Sequence, residues 1–378
     1  MHIYNRVTLG LFILLLVVQV SFLHPSFSWP EIKSGEFLPV LVKDTLALPR
    51  TVHQAYFASY GSNEKTGLIF TGDVLLARNV EYLMNREGID YPFSGISLSN
   101  ILPGAAIIGN FESAMPETHM PTPALAMRFS VDPALLPALK TAGYTHLSQA
   151  NNHSFDYGLE GFSHGSAALL TTGIIPFGSG HSIGKESITY VNTESGRIAI
   201  VGIHATDVIP ARSTLKNVMA LASADSDFQI IYIHWGTEYK LVHNPAQEEL
   251  AKTLISQGAD LIVGHHPHVV QDIDIIDNVV VFYSLGNYVF DQYFNDDVEE
   301  GLVLSLALSG DRPHVRILPV TSHATLSQPI PMPEAERTAF LKELAARSNR
   351  TLSSEIMSGV VPLETMVATS QKMAMIGR

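Results

Sequence analysis

The sequence predicts an α/β protein in which a mixed sheet, or a pair of packed sheets, is covered by outer helices. Two patterns support this fold class. Apolar runs alternate with segments of helical spacing in the first part of the chain, and turn-linked pairs of apolar runs follow later. Strands that alternate with helices pair in parallel, whereas turn-linked strands pair antiparallel. A composition of 46% hydrophobic and 16% charged residues is typical of a globular protein.

The first half of the domain supplies the alternating elements. Apolar runs predict strands at Gly67–Thr71, Ala105–Gly109 and Thr145–Gln149. Helical spacing follows over 74–85 and again over 158–172. Between them, a helix is predicted with Asp132 as N-cap, Pro133 at its first position and Gly143 as its terminator.

The second half begins with the same alternation and ends in hairpins. Strands are predicted at Arg197–His204, Phe228–His234 and Ala259–Gly264. A helix over 245–257 ends at Gly258. One hairpin is predicted over 273–284 with its turn at 277–278, and a second one turns around Gly310.

The chain divides into four predicted segments. Residues 1–30 contain Val7–Leu23, an apolar run long enough to span a bilayer, so they are predicted to be a signal that remains as a membrane anchor helix. Arg6 favours an orientation with the domain outside the cell membrane, and cleavage of the segment would give a secreted protein instead. The remaining segments are a linker (31–66), the domain (67–325) and a helical C-terminal extension (326–378).

Charge and cysteine content exclude several classes of function. The formal net charge of −13 makes nucleic acid an improbable partner, because an acidic surface repels a polyanion. The chain has no cysteine, so it has neither disulfides nor zinc–thiolate sites. Any metal must therefore be held by oxygen and imidazole ligands, for which the 16 histidines are available.

Polar clusters follow six of the predicted strands, at the edge where α/β sheets gather their ligand sites. These clusters are at 71–73, 109–112, 150–153, 234–236, 264–268 and 284–287. Their Asp, Glu, Asn and His side chains suit a divalent metal such as Mn, Zn, Fe or Mg. Pro267 favours an extended His266, so His266 and His268 are expected to point to one side and His265 to the other.

These clusters, taken in order, resemble a known family. The motifs are TGDVLLAR (71–78), GNFE (109–112), ANNHSFDYG (150–158), HWGTEY (234–239), GADLIVGHHPHVVQ (258–271) and YSLGNYVFDQ (283–292). Over about 67–310 they resemble the CapA-type capsule-biosynthesis proteins, a family associated with poly-γ-glutamate synthesis and related to the calcineurin-like metallophosphoesterases. The resemblance implies a metallophosphoesterase-like sandwich of two mixed β-sheets flanked by helices.

The resemblance also implies roles for residues of this chain. The implied ligands of one or two divalent ions are Asp73, Glu112, Asn152, His234, His266 and His268. His153 would be the general acid, and Arg78 would hold phosphate oxygens. The residues implied to surround and orient this set are Asn110, Asp156, Glu238, His265 and Asn287.

Departures from the related metallophosphoesterases leave three hypotheses open. Leu75 stands where those enzymes usually have a histidine, and Asn110 stands where they usually have an aspartate, so one metal is as compatible as two. In the first hypothesis the site hydrolyses a phosphoester or related bond of a capsule polymer or a phosphorylated small molecule. In the second, the chain is a non-catalytic accessory subunit of a capsule-synthesis membrane complex, and its metal site binds a ligand or is structural. An exported hydrolase unrelated to capsule is a weaker third reading.

Overall fold

The computed structural model describes residues 67–308 and 313–363. The predicted anchor (1–30), the linker (31–66) and the turn at Gly310 lie outside the described residues. Within the described ranges, no helix combines the length and apolarity needed to cross a membrane.

Fifteen strands and eight α-helices are described, joined by loops and short 3₁₀ turns. The strands are β1 (Gly67–Val74), β2 (Ala106–Phe111), β3 (His146–Ser148), β4 (Ile175–Phe177), β5 (Ile188–Thr193), β6 (Gly196–Ala205), β7 (Phe228–Trp235), β8 (Leu261–His265), β9 (Ile273–Ile276), β10 (Val279–Phe282), β11 (Asn287–Val289), β12 (Glu300–Ala307), β13 (His314–Thr321), β14 (Ile330–Pro331) and β15 (Val360–Pro362). The helices are α1 (Arg78–Glu87), α2 (Leu98–Ile101), α3 (Leu136–Thr141), α4 (Gly158–Thr171), α5 (Arg212–Ala224), α6 (Pro245–Ser256), α7 (Glu334–Arg347) and α8 (Ser353–Ser358).

The described strands form two mixed sheets. The first has the order β14-β13-β12-β1-β2-β3-β4, with β11 also paired to β1 and β15 to β13. In it β1 to β4 run parallel, whereas β12 and β13 are antiparallel. The second sheet has the order β5-β6-β7-β8-β10-β9, with parallel central strands and antiparallel pairs at both edges. Two mixed sheets flanked by helices confirm the predicted fold class.

The period-two pattern of the strands builds the cores. Leu68 and Phe70 of β1 pack with Ile198 and Ile200 of β6 in the layer between the sheets, while Ile69 faces the outer helices. This alternation follows from strand geometry, in which successive side chains point to opposite faces. Helices α1, α3 and α4 cover the outer face of the first sheet, and α5 and α6 cover that of the second. Both sheets are therefore buried on two faces in their central strands.

The hairpin prediction over 273–284 is confirmed. Strands β9 and β10 pair antiparallel, and the two residues between them, Asp277 and Asn278, have φ values of 48° and 65°. Positive φ at both central residues defines the turn type that matches the twist of a two-residue hairpin, and Asp and Asn tolerate it better than most residues.

The structure contains elements that the sequence does not predict. The described part of the C-terminal segment (326–363) holds the expected helices α7 and α8, but also β14 and β15, which pair with β13 and so extend the first sheet. Two- and three-residue strands carry too short a pattern to recognise. Helix α5 is also unpredicted, and its N-cap residue Ala211 offers no side-chain hydrogen bond as a signal.

Candidate metal centre

Strand register brings the predicted site residues together. Asp73 of β1 lies beside Asn110 of β2 on one side and beside Asn287 of β11 on the other. In the second sheet, His234 of β7 pairs with His265 of β8. The carboxyl ends of both sheets meet at this point, so residues far apart in sequence form one cluster.

Two glycines allow the backbone to approach closely around the cluster. A Cβ at Gly72 would overlap the carbonyl oxygen of Gly286, and a Cβ at Gly264 would overlap the carbonyl oxygen of Tyr283. A side chain at either position would push the strands apart. These glycines therefore set the positions of the neighbouring Asp73 and His265.

Asp73 is fully buried at the centre of the cluster. Its Oδ1 accepts a hydrogen bond from Nδ2 of Asn110 (2.8 Å), and its Oδ2 accepts one from the backbone N–H of His266 (3.1 Å). Nδ1 of His265 lies 3.3 Å from Oδ1, and Nδ1 of His268 lies 3.4 Å from Oδ2. Burial alone would raise the pKa of Asp73, but His265 and His268 outweigh burial and hold the pKa well below its usual value.

His234 and His265 are fully buried and face one another. Their Nδ1 atoms are 2.8 Å apart, and Nε2 of His234 lies 2.8 Å from Oδ1 of Asn152. Burial, followed by the nearby His266 and His265, lowers the pKa of His234 well below its usual value, and burial also lowers the pKa of His265. The lowered pKa values favour neutral rings, and neutral imidazole is the form that binds metals. The expectation that His265 points away from the other histidines is wrong.

The chain turns sharply after β8. His266 has a φ of 101° and His268 a φ of 59°, so the extended conformation expected from Pro267 is wrong. The turn lets the N–H of His266 reach Asp73 immediately after the strand ends. Burial lowers the pKa of His266 to about 3, and His268 acts in the same direction.

Glu112, which directly follows β2, lies at the edge of the cluster near His268 and His153. Its Oε1 lies 3.7 Å from Nε2 of His268 and 4.0 Å from Nε2 of His153, and its Oε2 accepts a hydrogen bond from Nδ2 of Asn110 (3.3 Å). Burial, followed by the negative charge of Asp73, raises the pKa of Glu112 well above its usual value. A nearby cation would restore the carboxylate.

The donor set fits a divalent metal. Three overlapping groups have ligand atoms within 4.8 Å of one another: Asp73–His234–His265, Asp73–Glu112–His268 and Glu238–His266–His268. Buried polar atoms without a hydrogen-bond partner lie in the same cluster: Oε1 of Glu112 and Nδ1 of His266. Unpaired buried polar atoms are costly, and a metal ion would compensate those directed at it. Carboxylates and imidazoles are ligands of Mn, Fe and Zn, and Mg accepts the oxygen donors.

Asparagine side chains form hydrogen bonds with several residues of the cluster. Oδ1 of Asn287 lies 2.9 Å from Nδ1 of His268. Asn151 donates to Oδ1 of Asn110 (3.0 Å) and accepts from the backbone N–H of His153 (3.1 Å). Asn151 was not among the predicted site residues, although the neighbouring Asn152 was. Fixed partners of this kind orient the groups that do the binding.

His153 is held on two sides. Its Nδ1 lies 2.9 Å from Oδ2 of Asp156, which also accepts the backbone N–H of Phe129 (2.6 Å). The ring of Phe129 stacks on the ring of His153 with centroids 3.9 Å apart. With Nδ1 directed at Asp156, the other nitrogen of His153 faces Glu112.

Arg78 is a paired cation rather than a free one. Its guanidinium forms a buried ion pair with Asp291 and lies 4.6 Å from the ring centroid of Phe129. The second oxygen of Asp291 accepts the backbone N–H of Asn79 (3.1 Å), so Asp291 also caps the start of α1. Asp291 lies inside the YSLGNYVFDQ motif and could have been found there, whereas no signal in the sequence distinguished Phe129.

A cavity of about 410 Å³ opens beside the cluster. Its polar lining includes Arg78, His153, Glu238, His268 and Asp291. A substrate in this cavity would contact His153 and the ligand candidates together.

A family model described as bacterial capsule synthesis protein PGA_cap matches residues 67–292, which is more than half of the chain. The chain belongs to this capsule synthesis family. The PGA_cap match covers every predicted site residue, from Asp73 to Asn287.

Two curated relatives agree with the PGA_cap assignment. The chain is 32% identical over 264 residues to the capsule biosynthesis protein CapA of Bacillus anthracis, covering 64% of each protein. It is 28% identical over 308 residues to the PGA biosynthesis protein CapA of Bacillus subtilis, covering 76% of this chain and 80% of that relative. The chain thus spans slightly less than two thirds of the first relative's length.

Among solved structures, a phosphatase from Mycoplasma pneumoniae aligns with 70% of this chain and 90% of its own at 14% identity and a TM-score of 0.41. A Staphylococcus aureus protein described as a 5'-nucleotidase aligns with 77% of this chain and 58% of its own at 10% identity and a TM-score of 0.43. Scores at this level support no inference about activity.

Proposed function

We propose that this chain is a metal-dependent hydrolase that cleaves a phosphoester or a related bond during capsule synthesis. The observation that carries this proposal is the convergence of buried carboxylates and neutral imidazoles beside a cavity that also contains His153. Membership of a capsule synthesis family supports the biological setting.

A divalent metal, when bound, polarises the bond to be broken and lowers the pKa of water. Asp73, Glu112 and the clustered histidines would hold it, with Asn152 beside them. The other steps rest on side chains of the protein. Arg78 is held in place by its ion pair with Asp291, so its guanidinium can donate hydrogen bonds to an anionic group although the pair carries no net charge.

His153 supplies the proton. Because Asp156 accepts the Nδ1–H, protonated His153 carries its transferable proton on Nε2, on the side of the cluster. A leaving oxygen in the adjacent cavity lies within the reach of this group. General-acid assistance of this kind contributes about 10²–10⁴-fold to rate.

The test is turnover by the full-length chain after chelation and reloading. A panel of phosphate monoesters and diesters should be hydrolysed with Mn, Zn, Fe or Mg restored, and activity should disappear with chelator. No turnover of any ester with any of these metals would reject the hydrolytic proposal.

A non-catalytic accessory role is the second candidate. Leu75 is fully buried in the apolar core, so the position that holds a histidine in related metallophosphoesterases cannot supply a ligand here. In this role, the site would bind a ligand or stabilise the fold within a capsule-synthesis complex. Capsule production that survives His153→Asn, but not deletion of the gene, would favour this candidate.

Location is a further part of the proposal. The apolar run Val7–Leu23 supports an anchor in the cell membrane with the domain outside, and a secreted protein would result from cleavage. Protease accessibility of the domain in intact cells, together with fractionation of membranes, tests this. Recovery of the domain in the cytoplasm would contradict it.

A further inference from the structure

The cavity beside His153 has a polar inner end and an apolar mouth. At the inner end lie His153, His268 and Glu238. The side chains that form the mouth are exposed to solvent by the following fractions: Leu125 93%, Met127 64%, Phe294 61% and Tyr239 41%. The ring of Tyr239 packs edge-on against that of Phe294 with centroids 5.1 Å apart. Clustered exposed apolar side chains around a polar site mark a binding surface.

The charges in this cavity do not suit a polyanionic chain. The cation Arg78 is already neutralised by Asp291, and Glu238 adds a further negative charge. A formal net charge of −13 opposes a polyanion at longer range as well. One anionic group at a metal cation would be accepted, but further negative charges along the mouth would be repelled.

On the basis of the proposed hydrolytic function, we propose that the substrate is a phosphate ester of a long-chain apolar alcohol. Its phosphoryl group lies at the inner end of the cavity, and its chain lies along Leu125, Met127 and Phe294. Because His153 lines this same cavity, the apolar alcohol is the leaving group.

Hydrolysis transfers the phosphoryl group from the alcohol to water. Water forms a bond to phosphorus, and the bond between phosphorus and the alcohol oxygen breaks. The alcohol oxygen takes the proton of His153, a proton of the water passes to solvent, and solvent returns a proton to His153. The products are the free alcohol and a phosphate with one ester bond fewer.

Binding of alkylphosphonates tests the inference without turnover, because their carbon–phosphorus bond is not hydrolysed. The metal-loaded full-length chain in lipid nanodiscs is titrated with ethyl-, butyl- and hexylphosphonate, and empty nanodiscs are subtracted. Affinity should rise about tenfold from ethyl to hexyl, which is less than full burial of four methylenes would give, because the mouth is open on one side.

Two variants test whether the apolar side chains at the mouth cause the rise in affinity with chain length. A double variant, Leu125→Ser with Phe294→Ser, should lose most of the rise with chain length. Leu170→Ser is the matched control, because Leu170 on α4 is 58% exposed and lies away from this cavity. An equal loss in the control would overturn the proposal.

The remaining outcomes separate the two proposals. If ethylphosphonate binds but hexylphosphonate binds no more tightly, the apolar substrate is rejected while the hydrolytic function stands. If no phosphonate binds to the metal-loaded chain, both are rejected. Hexyl glucoside, which has the chain without the anion, should bind more weakly than hexylphosphonate. Equal binding would show a general apolar docking surface and contradict an ester substrate.

Discussion

The Nδ1 atoms of His234 and His265 lie 2.8 Å apart, although the two residues are on different strands and both rings are fully buried. Each neutral imidazole has one N–H donor and one lone pair, so one ring must donate to the other when no cation is present. A metal ion in place of that proton would engage both lone pairs together with Oδ1 of Asp73, which is 3.3 Å from His265 and 3.9 Å from His234. This relationship is the core of the proposed metal centre.

Replacement of His153 should affect poor leaving groups most. In His153→Asn, we expect kcat/KM for an alkyl phosphate ester to fall by about 10²–10⁴, because an alkoxide needs a proton as it leaves. The loss for a p-nitrophenyl ester should be much smaller, since that phenolate leaves unprotonated. Steady-state kinetics on both esters provides the measurement, and His164→Asn on α4 is the control. Equal losses on the two esters would show that His153 does not act as the acid.

The raised pKa of Glu112 predicts how stability of the metal-free protein depends on pH. Above the ordinary value of 4.5, the folded state keeps a proton that the unfolded state releases, so the free energy of unfolding falls as pH rises toward the raised pKa. Glu112→Gln removes this loss. We therefore expect the metal-free variant to have a higher melting temperature than wild type at pH 7.5 and nearly the same one at pH 4. Each kcal/mol of difference in the free energy of unfolding should shift the melting temperature by about 2–4 °C.

Thermal unfolding with and without metal completes that comparison. Metal should raise the melting temperature of wild type more than that of Glu112→Gln, because the variant lacks a carboxylate ligand. A variant that is equally destabilised at both pH values would show that Glu112 is ionised, or packed for another reason, in the metal-free fold.

The Arg78–Asp291 pair should contribute strongly to stability. Arg78→Ala leaves Asp291 buried without its partner, and we expect a loss of about 3–5 kcal/mol in the free energy of unfolding. Urea unfolding gives the value. The exposed pair Lys252–Glu248 serves as the control, and Glu248→Ala should change nothing measurable. A negligible effect of Arg78→Ala would mean that water reaches Asp291 and solvates it.

Strand pattern predicted most of the sheet framework, since β1, β6, β7 and β8 are largely apolar runs, and polar clusters mark the ends of β1, β7 and β8. Short or weakly patterned elements escaped prediction. β4 has only three residues, one of which is Pro176. β15 also has three residues, and it pairs with β13 across two intervening helices. Pairing of this kind is a tertiary property that local sequence does not encode.

Residue types predicted which side chains lie close together better than they predicted the local backbone conformation. The proline rule favoured an extended His266, but the hydrogen bond from its N–H to Asp73 holds a φ of 101° instead. Tertiary contacts outweighed a local preference of modest energy. Phe129 could not be predicted, because its stacking on His153 joins residues that are distant in sequence, whereas Asp291 lies in a motif and only its pairing with Arg78 was hidden.

Metal content is the decisive measurement for the proposed metal centre. The full-length chain, chelated and then reloaded with Mn, Zn, Fe or Mg, is analysed for bound metal per chain by elemental analysis, alongside His265→Ala and the control His164→Ala. We expect one or two ions in wild type and control, and a sharp reduction in His265→Ala, because that ring faces both Asp73 and His234. Wild type that binds none of these metals, or a His265→Ala variant that keeps the full content, would contradict the proposed metal centre.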